Sequence, residues 1–133
     1  MYRWVDHTAE LELHLEAPTE AEVFREALAA LGELLAERSG DEGAEATSHE
    51  VTASAPDRPT LLAEWLSELV FLAETEGFVP ERVDALELSG DELEATVSGV
   101  RADPPHLVKA VTYHRLELRE GDEGWRARVV LDV

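Results

Sequence analysis

The sequence predicts an α+β fold in which two amphipathic helices pack against a mostly antiparallel sheet. Apolar residues recur at helical spacing in two longer segments, and they alternate with polar residues in about six shorter segments. Most of the alternating segments are joined by short turns that contain glycine, as in β-hairpins, rather than by helices. We therefore expect one domain, residues 1–133, which is large enough to bury a core without disulfides.

The first strand is predicted over residues 9–16, because leucines alternate there with charged or polar residues. Thr19 and Glu22 have the spacing of a capping box, in which the two side chains accept hydrogen bonds from amides at the start of a helix. The first helix is expected to run from there to about Arg38, with apolar residues at steps of three and four. A loop of turn-forming residues and a short strand over residues 50–54 follow.

A second helix is predicted to begin after Asp57, which serves as its cap and is followed by an early proline. Gly77 is expected to end this helix in the left-handed conformation. A hairpin follows, with strands over residues 83–88 and 93–100 joined by a Ser-Gly-Asp-Glu turn.

The segment from Leu107 to Arg119 changes the phase of its alternation once. It fits either a long strand with a bulge or a short helix that leads into a strand, and we favour the strand. A glycine-containing turn at residues 121–124 then leads into a last strand over residues 125–133. Its alternation places Val130 on the solvent-facing side and ends the chain as a strand.

The composition excludes several classes of function. Thirty acidic residues against eleven basic ones give a net charge of −19, which disfavours direct binding to nucleic acid or anionic lipid. The same charge favours encounter with a basic protein. Cysteine is absent, so the chain has no disulfide, thiolate metal ligand or cysteine nucleophile. Because no apolar run is long enough for a membrane span or a signal peptide, we expect a soluble, cytoplasmic protein without membrane contact.

Acidic residues lie close to both termini of the sequence. Asp6 and His7 precede Glu10 near the start, and the sequence ends with Asp132 and Val133. If the first and last strands are neighbours, these carboxylates converge as hard oxygen ligands for calcium or magnesium. The alternative is a set of exposed acids that solvent screens. His7 has three potential roles, as a base, a ligand or a structural hydrogen-bond donor, and we favour the structural role.

Few other residues suggest chemistry. Lys109 is the only lysine, whereas arginine supplies every other cationic position, so an ammonium group has a functional role there or occurs by chance. His7 and His114 are too few nitrogen ligands for a zinc site. The sequence contains no nucleophile elbow and no phosphate-binding glycine loop. A self-sufficient enzyme is therefore the weaker hypothesis.

Four motifs, in this order along the chain, resemble the archease family. They are Asp6-His7-Thr8-Ala9-Glu10, Leu61-Leu62-Ala63-Glu64-Trp65-Leu66-Ser67-Glu68-Leu69, Lys109-Ala110-Val111-Thr112-Tyr113-His114 and Val129-Val130-Leu131-Asp132-Val133. The resemblance implies an archease-like fold and a small metal-binding cofactor protein. Its partner would be the GTP-dependent RNA-splicing ligase, which it would bind in a transient complex. Its role would be to promote guanylylation of the ligase and multiple turnover in tRNA splicing and RNA repair.

The resemblance also implies roles for individual residues. Glu10, Asp132 and Val133 match the positions that hold a metal, usually calcium, in this family. The family normally has aspartate where this chain has Glu10, which lengthens the ligand arm by one methylene and leaves the identity of the metal open. Asp6 and His7 match the same motif, and we expect them to support the ligands by hydrogen bonds.

Two other functions remain open at this stage. An acidic α+β module with a cation site is also compatible with a metal-regulated chaperone or general protein modulator, which would bind many clients instead of one ligase. A metal-dependent hydrolase would need an open coordination position and a base near Glu10, for which His7 is the only candidate.

Overall fold

The structure is a computed structural model that describes residues 1–37, 45–102 and 108–133. This part of the chain forms seven strands and two helices. The elements are β1 (Tyr2–His7), β2 (Glu10–Ala17), α1 (Glu20–Glu37), β3 (Glu45–Ser54), α2 (Arg58–Glu76), β4 (Phe78–Ser89), β5 (Glu92–Arg101), β6 (Ala110–Gly121) and β7 (Gly124–Asp132).

The strands form two antiparallel sheets. One sheet has the order β1-β2-β7-β6, and the other has the order β3-β5-β4. Each helix contacts strands of both sheets, so that the core fills the space between sheets and helices. The predicted α+β class with a mostly antiparallel sheet is therefore confirmed, and the strands are divided between two sheets.

Helix α1 lies very close to strand β4. Its N-terminus begins as predicted, with the Thr19 hydroxyl accepting a hydrogen bond from the Glu22 amide at 3.2 Å. A glycine is required at the centre of the contact, because a Cβ atom built on Gly32 would lie 2.0 Å from the carbonyl oxygen of Pro80. This close approach buries most of one side of α1.

Helix α2 has the predicted caps at both ends. The Asp57 carboxylate accepts a hydrogen bond from the Thr60 amide at 2.8 Å, and Gly77 ends the helix at a φ of 65°. The buried Trp65 indole donates to the carbonyl oxygen of Phe24 at 2.9 Å and so joins the two helices. Neither helix in the described residues has the length and apolar character needed to span a bilayer.

The two predicted hairpins are present as β4–β5 and β6–β7. The change of phase in the segment that begins at Leu107 is a bulge in β6, where the pairing register shifts between Thr112 and Glu117. The favoured interpretation as a bulged strand is thus confirmed from Ala110 onward. Leu107 itself, Arg38 and the loop after it lie outside the described residues.

Two predictions about the strands were wrong. The described residues contain seven strands instead of about six, because β1 was not predicted and pairs with β2 along its whole length. Val130 was placed on the solvent side but is buried, with 2% of its surface exposed. It lies on the outward face of the central strand β7, opposite the buried Glu12 of β2.

Candidate functional site

The strand ends that carry the predicted metal ligands meet at one end of the four-stranded sheet. Strand β2 pairs with β7 so that Glu10 lies directly opposite Asp132. The amide of Val133 donates to the carbonyl oxygen of Ala9 at 3.1 Å, and the amide of Lys109 donates to that of Asp132 at 2.8 Å. We call Glu10, Asp132 and Val133 the carboxylate site.

The oxygens of the carboxylate site suit a hard cation. Residues directly opposite in an antiparallel pair have Cβ atoms about 4.5–5.5 Å apart, so the ionised side chains of Glu10 and Asp132 repel each other. A calcium ion would remove this repulsion, and carboxylate and main-chain oxygens are its usual ligands. Among the described residues, no three His, Asp or Glu side chains form a ready metal cluster. The expected set has two side chains, with main-chain oxygens of Val133 as the third ligand.

The turn before Glu10 has an unusual backbone. β1 and β2 are joined through Thr8 and Ala9, and Ala9 has a φ of 61°. Residues other than glycine rarely adopt this left-handed conformation, which costs about 1 kcal/mol or more. The conformation makes the turn tight and directs the Ala9 carbonyl group to the amide of Val133. The unfavourable backbone conformation of Ala9 thus accompanies the hydrogen bond that holds the start of β2 and the end of β7 together.

A buried carboxylate, Glu12, lies two residues along β2 from the carboxylate site. Only 6% of its side chain is exposed, although it is on the outward face of the sheet. One oxygen lies 2.9 Å from Nε2 of His7 and 2.5 Å from a guanidinium nitrogen of Arg115. The other lies 3.3 Å from Nε2 of His14 and 3.8 Å from Nε of Arg128. We call these five residues the Glu12 network.

The surroundings of Glu12 favour its charged form. Burial alone would raise the pKa of this carboxyl group, but the hydrogen bond with His7 and the charges of Arg115 and His14 outweigh it and hold the pKa below its ordinary value. Glu12 is therefore a charged group that side chains of β1, β6 and β7 contact. Because His7 ends β1 and pairs with Glu10, the network also supports the turn of the carboxylate site.

Arg115 reaches Glu12 because of the bulge in β6. Arg115 has a φ of 54° and, with Ala9, is one of the two residues other than glycine with positive φ in the described chain. Its carbonyl oxygen accepts a hydrogen bond from Nε of Arg128 at 2.8 Å. Both backbone irregularities thus belong to the region around the carboxylate site, and strained residues are often found at functional sites.

The remaining predicted site residues have different positions. Asp6 pairs with Leu11 and so projects from the opposite side of the sheet to His7. His7 makes the expected structural hydrogen bond, but its partner is Glu12. His114 is exposed in the β6 bulge, where its amide donates to the Thr112 hydroxyl at 3.3 Å.

The Glu12 network was missed at the sequence level. Glu12 and His14 lie at solvent-facing positions of an alternating strand, where charged residues are ordinary. A weak signal exists in β7, the facing strand, where Arg126 and Arg128 lie two residues apart, as Glu12 and His14 do in β2. Without the pairing of β2 with β7, this signal could not be connected to Glu12.

The charges of the molecule are unevenly distributed. Among the described residues, strand register, and for Arg115 its contact with Glu12, place equal numbers of arginines and acids on the outward face of the four-stranded sheet, many of them in ion pairs. They are Arg3, Arg115, Arg119, Arg126, Arg128, Glu10, Glu12, Glu16, Glu117 and Asp132. Since the charges of these residues cancel, the net charge of −19 is carried by the rest of the molecule.

Comparisons with known proteins agree with the fold and its motifs. The model of the Archease protein family matches residues 2–133. The protein archease of Methanosarcina barkeri is 34% identical over 144 residues, which cover 99% of this chain and 95% of the relative. The archease of Methanothermobacter thermautotrophicus is 36% identical over 122 residues, 84% of each chain.

Two solved structures have a similar fold. The solution structure of Methanobacterium thermoautotrophicum protein 1598 has a TM-score of 0.67 and 26% identity, and the match covers 99% of this chain and 98% of that one. The crystal structure of a Thermotoga maritima archease, described as a possible chaperone, has a TM-score of 0.65 and 20% identity over 100% and 98% of the two chains. At that identity, the second match supports the fold alone.

Proposed function

Because the chain belongs to the archease family, we propose that it is a metal-binding accessory protein that activates a GTP-dependent RNA-splicing ligase. In this proposal the protein is not itself a catalyst. It promotes guanylylation of the ligase and repeated turnover in tRNA splicing and RNA repair.

One observation carries the metal-binding part of the proposal. The β2–β7 register places Glu10 opposite Asp132. The hydrogen bond from the Val133 amide to the Ala9 carbonyl oxygen brings the main chain of Val133 to the same place. Residues 122 positions apart in the sequence therefore share one small region. Two facing acids repel each other and destabilise the fold in the absence of a cation. A bound cation would remove this repulsion, which supports a metal site here.

Calcium is the cation we propose for the carboxylate site. The side chains of Glu10 and Asp132 and the main-chain oxygens of Val133 would hold it. A calcium ion there would neutralise the facing carboxylates and fix the β1–β2 turn to the end of β7. Glu10 in place of the aspartate implied by the family resemblance still offers hard oxygens, on a longer side chain.

The charge of the protein supports a basic partner. A ligase that holds RNA needs a basic surface, and a protein of net charge −19 is attracted to such a surface over long distances. The attraction speeds encounter without requiring a tight complex, and a transient complex suits an activator that leaves before RNA binds.

The test is a ligation assay with purified ligase, GTP and RNA substrate in excess over the ligase. The wild-type protein is expected to raise the number of turnovers per ligase, and Asp132→Asn is expected to lose this effect because the cation loses a charged ligand. Calcium binding, measured by calorimetry, should weaken in the same variant. Asp122→Asn is the matched control, since Asp122 is an exposed acid in the β6–β7 turn away from the carboxylate site.

The results separate the two parts of the proposal. If the wild-type protein does not change turnover, the ligase function is wrong. If Asp132→Asn stimulates the ligase as well as the wild type does, the carboxylate site has no part in activation.

The second candidate is a metal-regulated chaperone or general protein modulator. It is favoured by the net charge of −19, which attracts basic proteins in general. Affinity capture with wild-type protein, followed by mass spectrometry, distinguishes the two. Recovery of many unrelated basic proteins at similar levels would support a general modulator, and enrichment of one ligase would support the activator.

A metal-dependent hydrolase has less support. The candidate base named from the sequence, His7, is engaged by the carboxylate of Glu12, which is buried and charged. Hydrolytic activity of the calcium-loaded protein in the absence of any ligase would support this alternative.

A further inference from the structure

Two large aromatic side chains are exposed on neighbouring elements. Phe71 on α2 and Tyr113 in the β6 bulge are each 58% exposed. The hydroxyl of Tyr113 donates to the carboxylate of Glu64 on α2, which fixes the bulge against the helix. Folding alone does not explain why both rings remain in water, since burying an aromatic side chain is favourable.

The aromatic residues lie among acids on the solvent side of α2. Glu64, Glu68 and Phe71 follow each other at steps of four and three, which places them on one stripe of the helix. The opposite side of α2, which includes Leu62, Leu66 and Ala73, is buried. We call Glu64, Glu68, Phe71 and Tyr113 the aromatic–acidic ridge.

The C-terminal end of α2 increases the negative charge of this surface. Glu76 lies in its last turn, which has no basic residue. An acid in this position interacts unfavourably with the helix dipole. Sequences tend to break such local rules at functional sites, so the arrangement points to binding.

We propose that the aromatic–acidic ridge is the surface on which a basic protein partner docks, namely the lysine- and arginine-rich surface of the ligase. This inference rests on the proposed function. Exposed aromatic residues surrounded by charge are typical anchors of protein interfaces, where a few such residues carry most of the binding energy. The acids supply charge complementarity to a basic protein surface and would repel the phosphates of RNA.

The position of the ridge agrees with this role. Tyr113 and Arg115 belong to the same bulge, and Arg115 contacts Glu12, which contacts His7 at the turn before Glu10. The ridge is therefore linked through the β6 bulge to the network that supports the turn of the carboxylate site. A partner docked on the ridge would contact this bulge at Tyr113.

The binding test compares three variants with the wild type by surface plasmon resonance with immobilised, RNA-free ligase. Phe71→Ser is expected to weaken affinity about tenfold or more, since it removes an anchor. Glu68→Lys is expected to weaken it about tenfold, with more effect at low salt than at high salt. Glu33→Lys is the matched control, because Glu33 is an exposed glutamate on α1 and the change in net charge is the same.

Thermal unfolding of each variant checks that the fold is kept, as expected for exposed positions. Tyr113→Phe provides a second measurement, since it keeps the ring and loses only the hydrogen bond to Glu64. It should bind within about threefold of wild type if the ring is an anchor.

The outcomes distinguish a wrong docking surface from a wrong proposed function. If the wild type binds and stimulates the ligase while Phe71→Ser and Glu68→Lys bind equally well, the ridge is not the docking surface and the proposed function stands. Equal losses in Glu68→Lys and Glu33→Lys would show that only net charge matters, which also overturns the ridge. If the wild type neither binds nor stimulates the ligase, the proposed function itself fails.

Discussion

The Glu12 network provides the sharpest test of the site, through the substitution Glu12→Gln. This change keeps the shape of the side chain and removes its charge. Breaking a fully buried ion pair costs about 3–5 kcal/mol. In this protein the cationic partners are 30–48% exposed, so water can partly replace the carboxylate. We therefore expect a loss of about 2 kcal/mol in the free energy of unfolding, within the range for hydrogen bonds to charged groups.

The assay is thermal unfolding at neutral pH in a buffer with a metal chelator, so that metal binding does not contribute. A loss of about 2 kcal/mol corresponds to a fall in Tm of roughly 6–10 °C for a chain of this size. Glu16→Gln is the matched control on the same strand and face, because Glu16 is 59% exposed and lies 3.7 Å from Arg126. Exposed pairs of this kind contribute about 0–1 kcal/mol, so its Tm should hardly change.

The difference between Glu12→Gln and wild type should also depend on pH. Because the folded state lowers the pKa of Glu12, its stabilising contribution is present above the ordinary value of 4.5 and is lost as the pH falls through the lowered pKa. The two melting curves should therefore converge in acid. Equal Tm values for Glu12→Gln and wild type at neutral pH, or a difference that grows in acid, would refute the role assigned to the network.

Three further predictions concern the core and the carboxylate site. Gly32→Ala should lower Tm, although alanine favours helices by about 1 kcal/mol, because its Cβ would meet the Pro80 carbonyl oxygen; a higher Tm would contradict the contact. Trp65→Phe should cost about 2–3 kcal/mol in chemical denaturation, since it removes the indole hydrogen bond to the Phe24 carbonyl oxygen and leaves a cavity in the core; an unchanged midpoint would disprove this. Calcium at about 100 times its Kd should stabilise the wild type by about 2.7 kcal/mol, and Glu10→Gln should lose most of this shift.

The sequence predicted most of the fold because the main signals are local. The caps of α2 at Asp57 and Gly77 depend on residues within one turn of the helix ends, and the structure has both. The same holds for the hairpin turns. Strand β1 was missed because it is short, lies at a sheet edge and ends in the polar residues Asp6 and His7. Its pairing with β2, a tertiary contact, decides its conformation.

The candidate site was predictable only in part. The condition that the first predicted strand and the last strand are neighbours is met, since Glu10 faces Asp132. The family resemblance supplied the reason to connect them, because alternation alone does not specify which strands pair. The Glu12 network could not be predicted, since it needs a bulge of the right size in β6 to bring Arg115 over β2.

The irregular features of this protein gather at one end of the four-stranded sheet, and their costs favour a functional explanation. The left-handed Ala9 and Arg115 and the facing acids Glu10 and Asp132 each oppose stability when taken alone. A chain selected only for stability could remove most of them by single substitutions. Glycine at position 9 would relieve the turn, for example. Activation that falls in Ala9→Gly while Tm stays constant or rises would connect this backbone conformation to function; unchanged activation would assign it to folding alone.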